Sequence, residues 1–199
     1  MQNVFEMTDL GLMTYFLGME VNQNEHGIFI RQQAFAQKVL SKFSMSKCKS
    51  TSTLIALGEK LSSTNKHDRV DEKKYRSLVG CLLYLTATRP DILYAVSLLS
   101  RFMHCCNVAH FKVAKRVLRY VKGTLGYGVK FERAKELKLV GYSDSDWAGS
   151  VNDMKSTSGY LFTLGSGVFS WSSKKQQTVA QSTAEAEYIA AATAVNQAI

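Results

Sequence analysis

The sequence predicts an α+β protein, with helices through its middle and a sheet towards its end. Apolar residues recur about every 3.6 positions from roughly 71 to 122, and the period then falls to two between 126 and 172. No segment repeats. Hydrophobic residues make up 46% of the 199 and charged residues 21%, a globular composition rather than a disordered or fibrous one.

Residues 13–31 read as a hairpin. "MTYFLGMEV" and "GIFIRQ" flank the polar "NQNEH", and Gly27 closes the turn. "QQAFAQKVLSKF" follows as a short amphipathic helix, with Phe35, Val39, Leu40 and Phe43 on one side. From Ser44 to about His67 the chain is rich in Ser, Thr and Lys and has no period, which marks a loop and a seam between units. Three helical stretches come next: "DEKKYRSLVGCLLYLTAT", stopped by "RPD"; "DILYAVSLLSRFM", opened by Asp91; and "NVAHFKVAKRVLRYVKGT", capped by Asn107 and ended by Gly123. Strands are expected near 126–131, 138–144, 159–164 and 167–172, with a final helix from Thr183.

The formal net charge is +9, from 25 Lys and Arg against 16 Asp and Glu, which favours polyanionic partners, nucleic acid ahead of membrane. Cys48, Cys81, Cys105 and Cys106 form no CxxC pair and read as reduced thiols, buried or half-buried. The opening "MQNVFEMTDLGLM" lacks the charged and apolar regions of a signal peptide, and no apolar run reaches the ~20 residues of a membrane span. The expected setting is soluble and intracellular, with cytoplasm and nucleus not distinguished.

Two constellations carry chemistry. Lys112, Lys115, Arg116, Arg119 and Lys122 fall on one face of their helix, opposite Val108, Phe111, Ala114, Leu118 and Val121. Such a ridge either follows a phosphate backbone or is a solvated face; repulsion among five like charges with no interleaved Glu makes it costly for solubility alone. In "YSDSDWAGS", Asp144 and Asp146 share one face at strand period, with Ser143 and Ser145 opposite. Paired carboxylates suit a hard ion such as Mg²⁺, although a bare DxD is also common in surface loops. In "QSTAEAEYIAA", Ser182 and Glu185 fit a capping box, which occupies Glu185 and leaves Glu187 as the candidate ligand.

The ordered set "YFLGMEV…GIFIRQ", "YRSLVGCLLYLTATRPDI", "HFKVAKRVLRYVKGTL", "LVGYSDSDWAG", "KSTSGYLFTLG" and "SWSSKKQQTVAQSTAEAEYIAA" resembles the Pol polyprotein of copia-type retrotransposons, over essentially the whole chain. The resemblance implies three units. Residues 1–66 would be the end of a reverse transcriptase palm, with a primer-grip-like hairpin, and the start of the thumb. Residues 67–125 would be helical thumb and connection, and residues 126–199 the N-terminal part of a ribonuclease H-like domain, an incomplete mixed sheet with its first helix. It also implies that Asp144 and Glu187 are catalytic carboxylates and metal ligands, with Asp146 a further ligand, and that the ridge Lys112, Lys115, Arg116, Arg119 and Lys122 touches nucleic acid.

In that family four carboxylates hold two Mg²⁺ ions that activate water and stabilise the leaving oxygen. Beyond Asp153 this sequence has only Glu185 and Glu187 as acids, so two downstream Asp residues have no counterpart, and neither does the polymerase Asp-Asp motif. The expectation is a fragment truncated at both ends. Its parent activities would be RNA-directed DNA synthesis and cleavage of RNA in RNA–DNA hybrids, the fragment itself being inactive and holding Mg²⁺ weakly or not at all. Its expected partners are an RNA–DNA hybrid or other nucleic-acid duplex and the rest of Pol, with no membrane. The alternatives are a non-catalytic nucleic-acid-binding module and a Pol-derived scaffold recruited for protein interaction.

Overall fold

A computed structural model describes residues 11–63, 68, 70–134 and 136–199. The expected boundary at 66/67 and most of the segment weighed as a signal peptide lie outside the described residues. The chain opens with β1 (Tyr15–Phe16), β2 (Met19–Asn24) and β3 (Gly27–Arg31). The expected first strand is thus split. Leu17 and Gly18 both take positive φ, 46° and 78°, and turn the chain so that Phe16 pairs with Met19. That double left-handed turn is the kind whose twist suits a two-residue hairpin. Tyr84 Oη donates to Leu17 O at 2.5 Å and pins the turn to the helical layer. Between β2 and β3, Asn24 Oδ1 accepts from the His26 and Gly27 amides, a side chain doing the work of a backbone turn.

Helices α1 (Gln33–Lys42), α2 (Glu72–Leu85), α3 (Leu93–Ser100) and α4 (Val108–Gly123) form the second layer, with a 3₁₀ turn at Pro90–Ile92. Their apolar stripes meet in one core that includes Val39, Leu40, Leu78, Leu82, Ile92, Leu99, Val117, Leu118 and Val121. Asn107 caps α4 as expected. Its Oδ1 accepts from the His110 amide while His110 Nδ1 accepts from the Asn107 amide, so both groups at the helix start are satisfied reciprocally.

Asp91 does not cap a helix. It sits inside the 3₁₀ turn and takes two hydrogen bonds from Arg89, Nε to Oδ1 at 2.8 Å and Nη2 to Oδ2 at 2.7 Å. Arg89 also reaches Thr124 O and Oγ1, at 3.0 and 2.7 Å, and lies over the Tyr120 and Tyr127 rings. "RPD" therefore ties the start of α3 to the end of α4.

The strand expected at 126–131 forms as β4 (Gly128–Glu132), but it joins the first sheet, antiparallel to β3, in the order β1-β2-β3-β4. Gly27 allows this pairing. Its φ is 150°, and a Cβ there would meet Phe131 O at 2.0 Å.

The second sheet is β5 (Leu139–Ser145), β6 (Thr157–Leu164) and β7 (Gly167–Lys175), in that order, followed by α5 (Thr183–Ala198). Among the described residues its pairs are all antiparallel. Alternation gives it two faces. Ser145, Ser158 and Gln176 turn towards α5, where Ala186 and Ala190 are buried. Trp171 and Ser173 turn towards the helical layer, Trp171 Nε1 donating to Thr86 O and Ser173 Oγ lying 3.0 Å from Ser97 Oγ. β5 is an edge strand, and most of it is exposed.

Cys48 and Cys81 are half-buried, Cys106 is buried and Cys105 is exposed; all four thiols are free. Among the described residues no helix is long and apolar enough to cross a membrane.

Candidate functional site

Asp144 is the penultimate residue of β5, opposite Gly159 of β6, and it is exposed. It lies on the sheet face towards the helical layer, in a cleft of about 520 Å³ walled by Leu93, Tyr94, Tyr142, Leu161 and Trp171. Glu187 arrives from the other face. It lies near the start of α5, and its Oε1 accepts from the Ser145 amide at 3.3 Å. Asp146 N–H bonds Thr157 O towards β6, so by alternation the Ser145 amide points to the open side of the edge strand. Glu187 thus occupies the free edge of β5, one residue beyond Asp144.

Asp146 is engaged otherwise. β5 ends before it, and its Oδ1 accepts from the Thr157 amide at 2.5 Å, closing the polar turn. A Cβ on Gly149 would strike the same carboxylate, so the turn is wrapped around it. Arg101 reaches this corner through Thr157 Oγ1 at 3.0 Å. Burial draws the guanidinium of Arg101 below its ordinary pKa, against the opposing pull of Tyr94, Asp146 and Asp153. Burial, with Asp146 adding to it, pushes the Tyr94 phenol up.

Among the described residues no group of three or more acid, His or Cys side chains is gathered for a metal. Asp144 and Glu187 are two carboxylates, the number by which Mg²⁺ is commonly held with waters and phosphate oxygens completing its six positions, while Asp146 spends an oxygen on the Thr157 amide.

Glu185 behaves nearly as the capping box predicts. The Ser182 hydroxyl accepts from the Glu185 amide at 3.1 Å, but the Glu185 carboxylate reaches one residue further back than the box requires, to the Gln181 amide at 2.7 Å. Sequence reasoning missed Gln176. Its Nε2 lies 2.8 Å from Ser158 Oγ, 3.2 Å from Ser145 Oγ and 2.9 Å from Ala186 O, fastening α5 to the strands that carry Asp144. A Gln beside another Gln carries no periodic signal to reveal that.

The basic ridge divides in two. Lys112 and Lys115 are exposed, the Lys115 ammonium lying 4.9 Å from the centre of the Phe111 ring. The other three cations hold the loop after α1. Arg116 Nη2 donates to Thr53 Oγ1 at 2.5 Å, Arg119 Nε donates to Lys49 O at 2.7 Å, and Lys122 Nζ donates to Cys48 O. Loop carbonyls dilute the repulsion expected among five like charges, and all three of these side chains are half-buried.

The family described as "Reverse transcriptase (RNA-dependent DNA polymerase)" matches over residues 1–57. The chain is 42% identical over 193 residues to an uncharacterized mitochondrial protein of Arabidopsis thaliana, covering 96% of this chain and 80% of that one. It is 41% identical over 184 residues to the retrovirus-related Pol polyprotein from transposon RE1 of Arabidopsis thaliana, covering 92% of this chain and 13% of the polyprotein. It is 40% identical over 196 residues to that from transposon TNT 1-94 of Nicotiana tabacum, covering 94% of this chain and 15% of the polyprotein. No solved structure matches. These relatives match over 92–96% of the chain, and the chain belongs to the copia-type retrotransposon Pol polyproteins, of which it represents one segment.

Proposed function

We propose that this segment holds an RNA–DNA duplex on its helical layer and carries the first two carboxylates of a ribonuclease H-type site, without cleaving RNA by itself. The parent polyprotein would supply RNA-directed DNA synthesis and RNA cleavage. In this reading the hairpin β1–β3 and helices α1–α4 are the palm edge, thumb and connection, and β5–β7 with α5 open the ribonuclease H-like unit. The boundary near 126 then falls just before a strand that completes the first sheet.

The observation that carries the reading is the hydrogen bond by which Glu187 of α5 accepts from the Ser145 amide at the free edge of β5, next in the chain to Asp144. That bond joins residues 42 positions apart and brings α5 to the residue after Asp144. A capping role explains Glu185, whereas Glu187 accepts from the Ser145 amide of β5. Mg²⁺, when bound in the parent, would supply the activated water and the charge that stabilises the leaving oxygen. In this reading Asp144 and Glu187 would hold that ion, and Gln176 and the Ser182 cap keep the helix in register with the strand. Two-metal hydrolysis needs a clamp on both ions from several sides, which two carboxylates do not make.

The test uses the whole chain, a labelled RNA–DNA hybrid and millimolar Mg²⁺ or Mn²⁺. The expected outcome is a retarded hybrid with intact RNA. RNA cleavage abolished by Asp144→Asn and by Glu187→Gln would overturn the claim of inactivity. Absence of retardation at low salt would overturn the claim of duplex holding.

A further inference from the structure

We infer that the loop after α1, with Lys47 and Lys49, forms the phosphate-contacting surface together with Lys112 and Lys115, while Arg116, Arg119 and Lys122 position that loop. The inference rests on the duplex-holding reading above. It departs from the sequence expectation by exchanging roles, giving the binding task to loop lysines and a structural task to three cations of the ridge.

Charge distribution supports it first. Residues 26–58 contain five Lys and Arg, residues 92–131 contain seven, and the two segments together hold none of the chain's 16 Asp and Glu. Nearly half of the 25 cations thus lie in two stretches free of acid. The fold packs these stretches together, because the loop lies along α4. Cys48 is at Lys122, Lys49 at Arg119 and Thr53 at Arg116, so the loop runs antiparallel to the helix directly on its basic face. Leu54 and Ile55, next in the chain, pack against the helical core and anchor it.

The loop therefore covers part of three ridge cations, which are half-buried. Each of those cations spends a donor on a loop oxygen, whereas Lys47 and Lys49 are exposed on the loop's outside. Lys112 and Lys115 are exposed on the part of α4 beyond Thr53. Lys49 is bonded by Arg119, and Cys48, the neighbour of Lys47, by Lys122 near the end of α4. At ~1.5 Å per residue, α4 from 112 to 122 measures about 15 Å. A nucleic-acid strand advances ~3.4 Å per phosphate, so the surface matches about four phosphate steps. An ammonium suits such contacts, being a point charge that needs no fixed geometry.

The ligand class is the phosphate backbone of a nucleic-acid duplex, read without sequence preference. An anionic membrane is the rival polyanion and serves as an outcome of the test.

Binding of the whole chain to a fluorescent RNA–DNA hybrid is measured by anisotropy over a series of salt concentrations. Each neutralised phosphate contributes about 0.9 to the slope of log K against log salt, so Lys47→Ala with Lys49→Ala should reduce the slope by about 1.8. Lys47→Arg with Lys49→Arg should restore it. Lys138→Ala with Lys174→Ala, exposed and outside the helical layer, should leave it unchanged. Arg119→Ala should weaken binding with a slope change of less than about 0.5, because it acts through the loop.

A parent slope preserved in the Lys47/Lys49 double variant overturns this inference and spares the duplex-holding reading. No hybrid binding by the parent overturns both. Binding to phosphatidylserine vesicles but not to hybrid, lost in the same double variant, assigns the surface to membrane and also overturns both.

Discussion

Replacing Asp91 by Ala removes one partner of the most buried ion pair among the described residues. The Arg89 side chain is 4% exposed and the Asp91 side chain 32%. Breaking a buried pair costs about 3–5 kcal/mol, most of it from the charge left behind. Thr124 O and Oγ1 still accept from the guanidinium, and the partial exposure of Asp91 lets water approach, so the lower end applies, about 3 kcal/mol. For a chain of this size each kcal/mol moves the melting temperature by about 2–4 °C, so Asp91→Ala should melt about 6–12 °C lower.

The same pair has a pH signature. Burial works to raise the Asp91 pKa, but hydrogen bonds and charge from Arg89 outweigh it and hold the carboxyl below its ordinary value. A folded pKa below the unfolded one gives stability that is complete above about 3.9 and is lost as pH falls through the folded value. The gap between parent and variant melting temperatures, followed by circular dichroism, should therefore close in acid. A variant melting within 2 °C of the parent at neutral pH, or a gap indifferent to acid, would refute this reasoning; both figures scale from about 2–4 °C per kcal/mol.

Three further outcomes follow from the geometry. Gly27→Ala should cost roughly 1–3 kcal/mol, because its φ of 150° disfavours a side chain and the new Cβ meets Phe131 O; denaturant unfolding measures it, and a neutral result would contradict the β3–β4 pairing. The Asp153 carboxyl, hydrogen-bonded by Lys175 and Ser150, is held at about 2, so its contribution to stability is present above an unfolded pKa near 3.9 and is lost as pH falls towards 2. Lys175→Met should return that carboxyl towards its ordinary range in an NMR titration, and an unmoved titration would show that the ammonium is not the cause. Ser143→Lys on the exposed edge strand should raise the soluble concentration limit without lowering the melting temperature, since a charge on an edge discourages strand addition; an unchanged limit would show that this edge does not drive association.

Much of the secondary structure was legible because each element carries its own period or cap. Asn107 and Ser182 mark helix starts with side chains that find their amides, and β5–β7 alternate apart from one register shift between β6 and β7 at Phe162/Thr163. What was hidden is non-local. Nothing in "GVKFE" says that β4 will pair with β3, a hundred residues earlier in the chain, because period two reports a strand and not its partner. The split at Leu17–Gly18 was missed since a non-glycine residue with positive φ gives no turn signal of the Asn-Gly kind. The helix wheel placed Arg116, Arg119 and Lys122 on the basic face correctly. It had no knowledge of a loop that would lie across them, because an aperiodic Ser/Thr/Lys segment predicts only that no regular element forms. In the site, alternation gave Asp144 its face and elimination gave Glu187 its candidacy. The bond from the Thr157 amide to Asp146 depends on where the strand stops, which a bare DxD does not encode.

The central claim is that this Pol segment holds duplex through a sequence-blind phosphate surface. The measurement that tests it most directly is the affinity of the whole chain for an RNA–DNA hybrid at about 50 and about 200 mM salt. Four lysine contacts give a slope of about −3.6, so a fourfold rise in salt should weaken binding by roughly a hundredfold. An affinity that changes by less than about threefold over that range, or no binding at the lower salt, would contradict the account.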